Sequence, residues 1–156
     1  MKHAEIGGIE FEYPDGFIPL TEDEICRYYF SAKNRWAARA AEQHTIISLG
    51  WTKTLNGLTS FLVSQKTFRD NYEKQNRKSL KSFKREEGLS FEICGTKADG
   101  FDFSYEAIDT GTAQNGKLLT FTLAKQIYLV ECISNSANKA FGKETFEAVL
   151  RSIRIK

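Results

Sequence analysis

From Leu89 to Ile133 apolar and polar residues alternate again and again, and this restricts the chain to a sheet-forming fold. Leu89, Phe91 and Ile93 alternate with Ser90, Glu92 and Cys94. Phe101, Phe103 and Tyr105 alternate with Asp102, Ser104 and Glu106, and Leu119, Phe121 and Leu123 lead into an apolar run from Ile127 to Ile133. A period of two puts successive side chains on opposite faces of a strand. Asp99-Gly100 and Asn115-Gly116 fall between the runs, and such dipeptides supply the left-handed backbone that a tight hairpin needs. The spacing predicts antiparallel strands near 89–96, 101–109, 117–125 and 126–134, with turns at those two dipeptides. Behind them, Phe146, Val149, Leu150 and Ile153 stand at i, i+3, i+4 and i+7, the stripe of an amphipathic terminal helix.

Earlier in the chain the signals are more mixed. Ile9 and Phe11 alternate with Glu10 and Glu12 as far as Tyr13, a strand that Pro14-Asp15-Gly16 closes as a turn. Thr21 and Glu24 have capping-box spacing, and Glu22, Asp23 and Glu24 suit the positive end of a helix. A short helix to about Tyr29 is expected, with Ile25 and Tyr29 facing inward. His44 to Thr52 reads as a strand through Ile46, Ile47, Leu49 and Trp51. Residues 34–43 are ambiguous, because the alanines between Ala37 and Ala41 favour helix by intrinsic propensity. Asn56-Gly57 marks a further turn. From Leu58 to Phe83 the apolar residues Leu58, Phe61, Leu62, Phe68, Tyr72, Leu80 and Phe83 recur at helical spacing, with a break expected near Ser64. The N-terminal residues, His3 among them, carry no such pattern and are expected to fray.

The chain has 156 residues, 41% of them hydrophobic, with 12 Phe. That is the size and apolar content of one domain over residues 1–156, with no need of a disulfide or metal staple. Cys26, Cys94 and Cys132 are odd in number and far apart, and only His3 and His44 could join them. Reduced thiols and no metal site or other cofactor are expected. No apolar leader opens the sequence and no run approaches a membrane span, so a cytoplasmic protein is expected. An exported form with its signal peptide removed would read the same way. Net charge is +2, but it is unevenly placed. Residues 64–87 carry 8 basic and 4 acidic side chains, residues 1–63 carry 6 and 8, and residues 88–156 carry 8 of each. Nucleic-acid binders tend to be basic throughout, so this balance argues against a nucleic-acid partner.

The order of pieces resembles the PsbP/Mog-like group. A first strand ends in a Tyr-Pro-Asp-Gly-Phe turn at residues 13–17, a central amphipathic helix follows, and then a meander whose last strand holds Tyr128. The chain closes on Phe146-Glu147-Ala148-Val149-Leu150-Arg151-Ser152-Ile153, the best local match. The resemblance implies an α+β fold with a central antiparallel β-sheet flanked by helices, an α/β/α sandwich. It also implies a strand over 34–38 paired with 44–52, against local propensity. Members of the group whose role is known act by binding other proteins, among them a photosystem II extrinsic subunit and a Ran-binding protein. The group has no shared catalytic motif to carry over.

Candidate sites must be weighed against plainer explanations. On a helical wheel, Lys66, Lys74, Arg77, Lys78, Lys81, Lys84 and Arg85 group opposite Phe68, Tyr72 and Phe83. Lys74, Arg77, Lys78 and Lys81 are the candidate partner-binding face, although any solvated helix segregates charge. Polyanion binding through this stripe is a weaker alternative. A small enzyme would need a scattered site: Cys94 or Cys132 with His44, or a carboxylate. Thiols in predicted strands more often serve as small hydrophobes, so both are expected to be buried and slow to react. No nucleophile elbow or phosphate-binding glycine loop occurs, and no catalytic residue is assigned. Tyr28-Tyr29-Phe30 with Arg27 and Lys33, and Arg35-Trp36, could stack on bases, but such aromatics are needed for the core. The expected role is a non-enzymatic interaction module with a protein partner.

Overall fold

A computed structural model describes residues 1–29, 32–53 and 64–156. The elements are β1 (Lys2–Ile6), β2 (Ile9–Tyr13), β3 (Ile18–Pro19), α1 (Glu22–Tyr28), β4 (Arg35–Ala40), β5 (Thr45–Lys53), α2 (Gln65–Ser79), β6 (Lys81–Ile93), β7 (Thr96–Glu106), β8 (Ala113–Leu123), β9 (Gln126–Asn135), α3 (Lys139–Ser152) and β10 (Arg154–Ile155). Among the described residues, seven strands form one antiparallel sheet in the order β3-β4-β5-β9-β8-β7-β6, and β1, β2 and β10 form a smaller one. The fold class is the expected α+β arrangement.

Period-two alternation sorts the large sheet into two faces. Ile47 pairs with Cys132 and Leu49 with Val130, while Leu119 and Phe121 pair with Val130 and Tyr128. These side chains join Phe146, Val149, Leu150 and Ile153 of α3, and Ile9 and Phe11 of β2, in one buried cluster. On the other face Phe101, Phe103, Leu118 and Leu129 form a smaller cluster beneath Phe68 and Tyr72 of α2. Helix α1 starts as the sequence requires. The Thr21 hydroxyl accepts from the Glu24 amide and the Glu24 carboxylate accepts from the Thr21 amide.

Several local expectations are corrected. Neither Asp99-Gly100 nor Asn115-Gly116 is a turn; both lie inside strands, β7 and β8. Their glycines serve close approach. A Cβ on Gly100 would lie 1.7 Å from the Leu118 carbonyl oxygen, and one on Gly116 would lie 2.1 Å from the Phe103 ring packed across it. The hairpins turn instead at Cys94-Gly95 and Ala124-Lys125, each with positive φ at both residues, the backbone that matches strand twist. Helix α2 begins at Gln65 with Ser64 as its N-cap, the position of the expected break, but it stops at Ser79. Residues 81–93, expected to be partly helix and partly strand, form one long edge strand with bulges. The expected turn at Asn56-Gly57 and the helix from Leu58 lie outside the described residues, as does Phe30. Residues 35–40 are strand β4, paired with β5, as the resemblance implies and propensity does not. His3 is not frayed: β1 pairs with β2 over Lys2–Ile6.

Candidate functional site

The expected basic face is divided between two elements. Lys66, Lys74, Arg77 and Lys78 lie on α2, whereas Lys81, Lys84 and Arg85 lie on β6. The helical grouping of all seven is therefore corrected. Lys74, Arg77, Lys78 and Lys81 are all exposed, but they are not equivalent. The Arg77 guanidinium stands 5.0 Å over the Phe83 ring and 3.9 Å from Glu73. Lys81 lies 3.5 Å from Glu106. Arg85 is exposed as well, but its guanidinium is bonded to Glu73 at 2.8 Å and lies 4.5 Å over the Phe101 ring. Among the described residues, Lys74 and Lys78 make no ion pair. Like charges four residues apart on a helix cost about 0.2–0.5 kcal/mol, a cost that an acidic partner would relieve.

The thiols separate as well. Cys132 is buried on the α3 face, where burial, then the nearby Glu131 charge, pushes its pKa up to about 12. It fits the role of a packed hydrophobe. Cys94 is exposed, in the β6–β7 turn rather than a strand, with its thiol directed at the Ile153 carbonyl oxygen 3.3 Å away. The expectation that both thiols are buried fails for Cys94, because the hairpin turns there and not at Asp99-Gly100. His44 is exposed in the turn between β4 and β5 with a φ of 45°. Glu22, Asp23 and Glu24 occupy the first turn of α1, where Glu24 completes the capping box with Thr21; hydrogen bonds from Thr21 hold the Glu24 carboxyl below its usual range. Tyr13 and Trp36 pack ring to ring 4.9 Å apart, as core aromatics.

A cluster that the spacing rules passed over lies under α2. Glu131 of β9 is 2% exposed and sits directly across from Ser48 of β5 and Leu118 of β8. Burial raises its carboxyl pKa, while the Arg35 charge and a hydrogen bond from Tyr72 of α2 pull it back. The Arg35 guanidinium lies 4.2 Å over the Tyr29 ring and donates to the Ser48 hydroxyl at 3.4 Å. Tyr29 in turn interacts with Ser48, and burial raises its phenol pKa, as it does for Tyr72 and Tyr105. A buried carboxylate is tolerated only with such partners. One signal could have found it: Glu131 is the only charge in the apolar run from Ile127 to Ile133.

Besides the packing of Phe68 and Tyr72, polar bonds tie helix α2 to the sheet. Gln65 Nε2 donates to the Thr120 carbonyl at 2.8 Å, and Thr122 donates back to Gln65 at 3.1 Å. Arg69 donates to the Asp99 carbonyl at 3.2 Å. On the opposite face a cleft of about 20 Å³ lies among Lys117, Asp102, Ser134, Lys139 and Lys143. It has room for about one water, so it is too small for a substrate. Lys117 and Asp102 on its lining form an ion pair at 2.8 Å.

Against solved structures, 99% of the chain aligns with cyanobacterial PsbP (CyanoP) of Synechocystis sp. PCC 6803, at 13% identity, with 92% of that chain covered and a TM-score of 0.66. The fold is PsbP/Mog-like. The Ran-binding protein Mog1p of Saccharomyces cerevisiae aligns over 99% of this chain and 94% of its own, at 12% identity and a TM-score of 0.59. LpqN, involved in cell envelope biogenesis of Mycobacterium tuberculosis, aligns over 95% of this chain and 83% of its own, at 13% identity and a TM-score of 0.55. At these identities the likeness establishes fold alone. No protein-family model and no curated protein matches the chain. Among the described residues, no helix of this PsbP/Mog-like chain is long and apolar enough to cross a membrane.

Proposed function

We propose that this chain is a protein-binding module, one domain over residues 1–156, that docks an acidic partner surface on the outer side of α2. Lys74 and Lys78 make the primary contact, and Arg77 and Lys81 flank them. The observation that carries this reading is the pair of exposed lysines at i, i+4 with no ion pair among the described residues, on a helix that spends its acids elsewhere. Asp70 is taken by Lys66 and Glu73 by Arg85. Fixed cations at a protein surface steer an oppositely charged partner and fix its register more than they add affinity. The Ran-binding activity in the name of Mog1p, a protein of the same fold, is consistent with this reading. Free thiols at Cys26 and Cys94 fit a reducing, cytoplasmic setting.

The test is an affinity capture from the native cell, read by mass spectrometry, with wild type beside the Lys74→Glu/Lys78→Glu variant. Partners specific to wild type should be lost from the variant, and their association should weaken as salt rises. Capture of the same partners by both proteins would refute the docking face.

A second reading, a carboxylate-dependent enzyme, is favoured by one observation. Glu131 is a buried acid of raised pKa beside Arg35 and Tyr72, the kind of environment that active sites use. It predicts a chemical activity lost in Glu131→Gln, a substitution that should leave docking through Lys74 and Lys78 intact.

A further inference from the structure

The β1–β2 hairpin packs on the α3 side of the large sheet, away from α2, and its outer surface gathers groups that docking through α2 does not use. In the hairpin register His3 stands across from Glu12 and Glu5 across from Glu10, so all four side chains leave the same face of the ribbon. One donor atom from each of His3, Glu5 and Glu10 lies within 4.8 Å of the others. His3 Nε2 is 3.4 Å from Glu5 Oε1 and 3.7 Å from Glu10 Oε2. An open recess of about 160 Å³ adjoins them, with His3, Glu10, Glu12 and Arg154 on its walls.

We propose that His3, Glu5 and Glu10 form a binding site for a divalent transition-metal ion of the zinc class. Zinc takes imidazole nitrogen and carboxylate oxygen at about 2.0–2.2 Å, so tetrahedral ligands stand roughly 3.4 Å apart. The two His3 distances are already within a few tenths of an ångström of that spacing. The donors sit on two hydrogen-bonded strands joined by the two-residue turn Gly7-Gly8, so little chain entropy is lost on closing the site. Lys156 binds Glu5 through its other oxygen, Oε2, at 2.6 Å, which leaves Oε1 toward His3. The imidazole sets the metal class, since nitrogen donors suit zinc, nickel and copper while magnesium and calcium take oxygen. Three protein donors at an open surface leave the remaining coordination to water or Glu12, which makes the site exchangeable rather than structural.

The test is a calorimetric titration of the untagged full chain with zinc chloride, and separately with magnesium chloride. One zinc per chain is expected, weakened about 10-fold or more in His3→Ala and in Glu10→Gln. The other histidine supplies the control: His44→Ala should bind as wild type does. Circular dichroism checks that each variant folds, and if His3→Ala does not fold, Glu10→Gln decides. The site is overturned by an absence of one-to-one binding up to ~1 mM zinc, by magnesium binding equally well, by zinc binding unaffected in the folded His3 and Glu10 variants, or by its loss in His44→Ala.

Discussion

The two helices that cover the large sheet are attached by different chemistry. On one face α3 buries Phe146, Val149 and Leu150 almost completely, and Phe146 meets the edge of Phe91 with ring centroids 6.3 Å apart. On the other face α2 has no fully buried residue. Beside the half-buried contacts of Phe68 and Tyr72, its attachment runs through Gln65, Arg69 and Tyr72, each reaching a backbone carbonyl or a polar side chain of the sheet. Apolar burial is non-directional and stabilises in proportion to area. Polar bonds exchange water for protein partners and add about 1 kcal/mol each, but they fix orientation. The α3 side is therefore the scaffold, and α2 is an oriented, lightly held element that presents cations outward.

The contrast is broken most directly in the aromatic anchors. Phe146→Ala should cost about 3–5 kcal/mol in denaturant unfolding. Phe68→Ala, in the half-buried anchor of α2, should cost about 1–2 kcal/mol. Equal losses would mean that α2 is as deeply anchored as α3.

The next largest effect belongs to Glu131. Burial raises its folded pKa above that of the unfolded chain, so the folded state holds more protons between the two values. Stability then falls as pH rises through that window, by about 1.4 kcal/mol per pH unit. Glu131→Gln should remove this slope, and its advantage over wild type should grow with pH from the mid-4s upward, as read in unfolding at a series of pH values. Parallel pH profiles would contradict it.

Tyr72→Phe is the finest test of the polar attachment. Loss of the hydroxyl should cost about 1 kcal/mol and widen the Glu131 window upward, because the ionised carboxylate loses a donor. A neutral effect on both would remove Tyr72 from the account.

Much of the scaffold could be read from residue spacing, and the reasons are physical. The stripe through Phe146 and Ile153 and the capping box at Thr21 are local devices that hold in any context. The hairpin turns lie away from the Asp-Gly and Asn-Gly steps because Gly100 and Gly116 are needed for packing, while Ala124 and Lys125 adopt a left-handed backbone that costs about 1 kcal/mol or more per residue. Pairing of long strands outweighs that cost. Strand β4 defeats propensity because Ala37, Ala38 and Ala40 are wholly buried small residues between neighbouring strands. The first half of β6 gives no apolar alternation because it is an exposed edge, where charges and bulges guard against unwanted pairing. The polar cluster around Glu131 draws on Tyr29, Arg35, Ser48 and Tyr72 from four separate stretches, and only the fold assembles them. The cationic face was legible as composition, but its division between α2 and β6 was not, because Leu80 ends the helix with extended backbone.

Native-state hydrogen exchange, followed residue by residue in low denaturant, tests the central contrast most directly. Opening free energies report how firmly each element is held. The amides of α2 should exchange through an opening of distinctly lower free energy than those of α3 and of strands β8 and β9, which should exchange only on global unfolding. Exchange of α2 and α3 at the same free energy would contradict the claim that one face of this sheet is a scaffold and the other carries a lightly held, oriented helix.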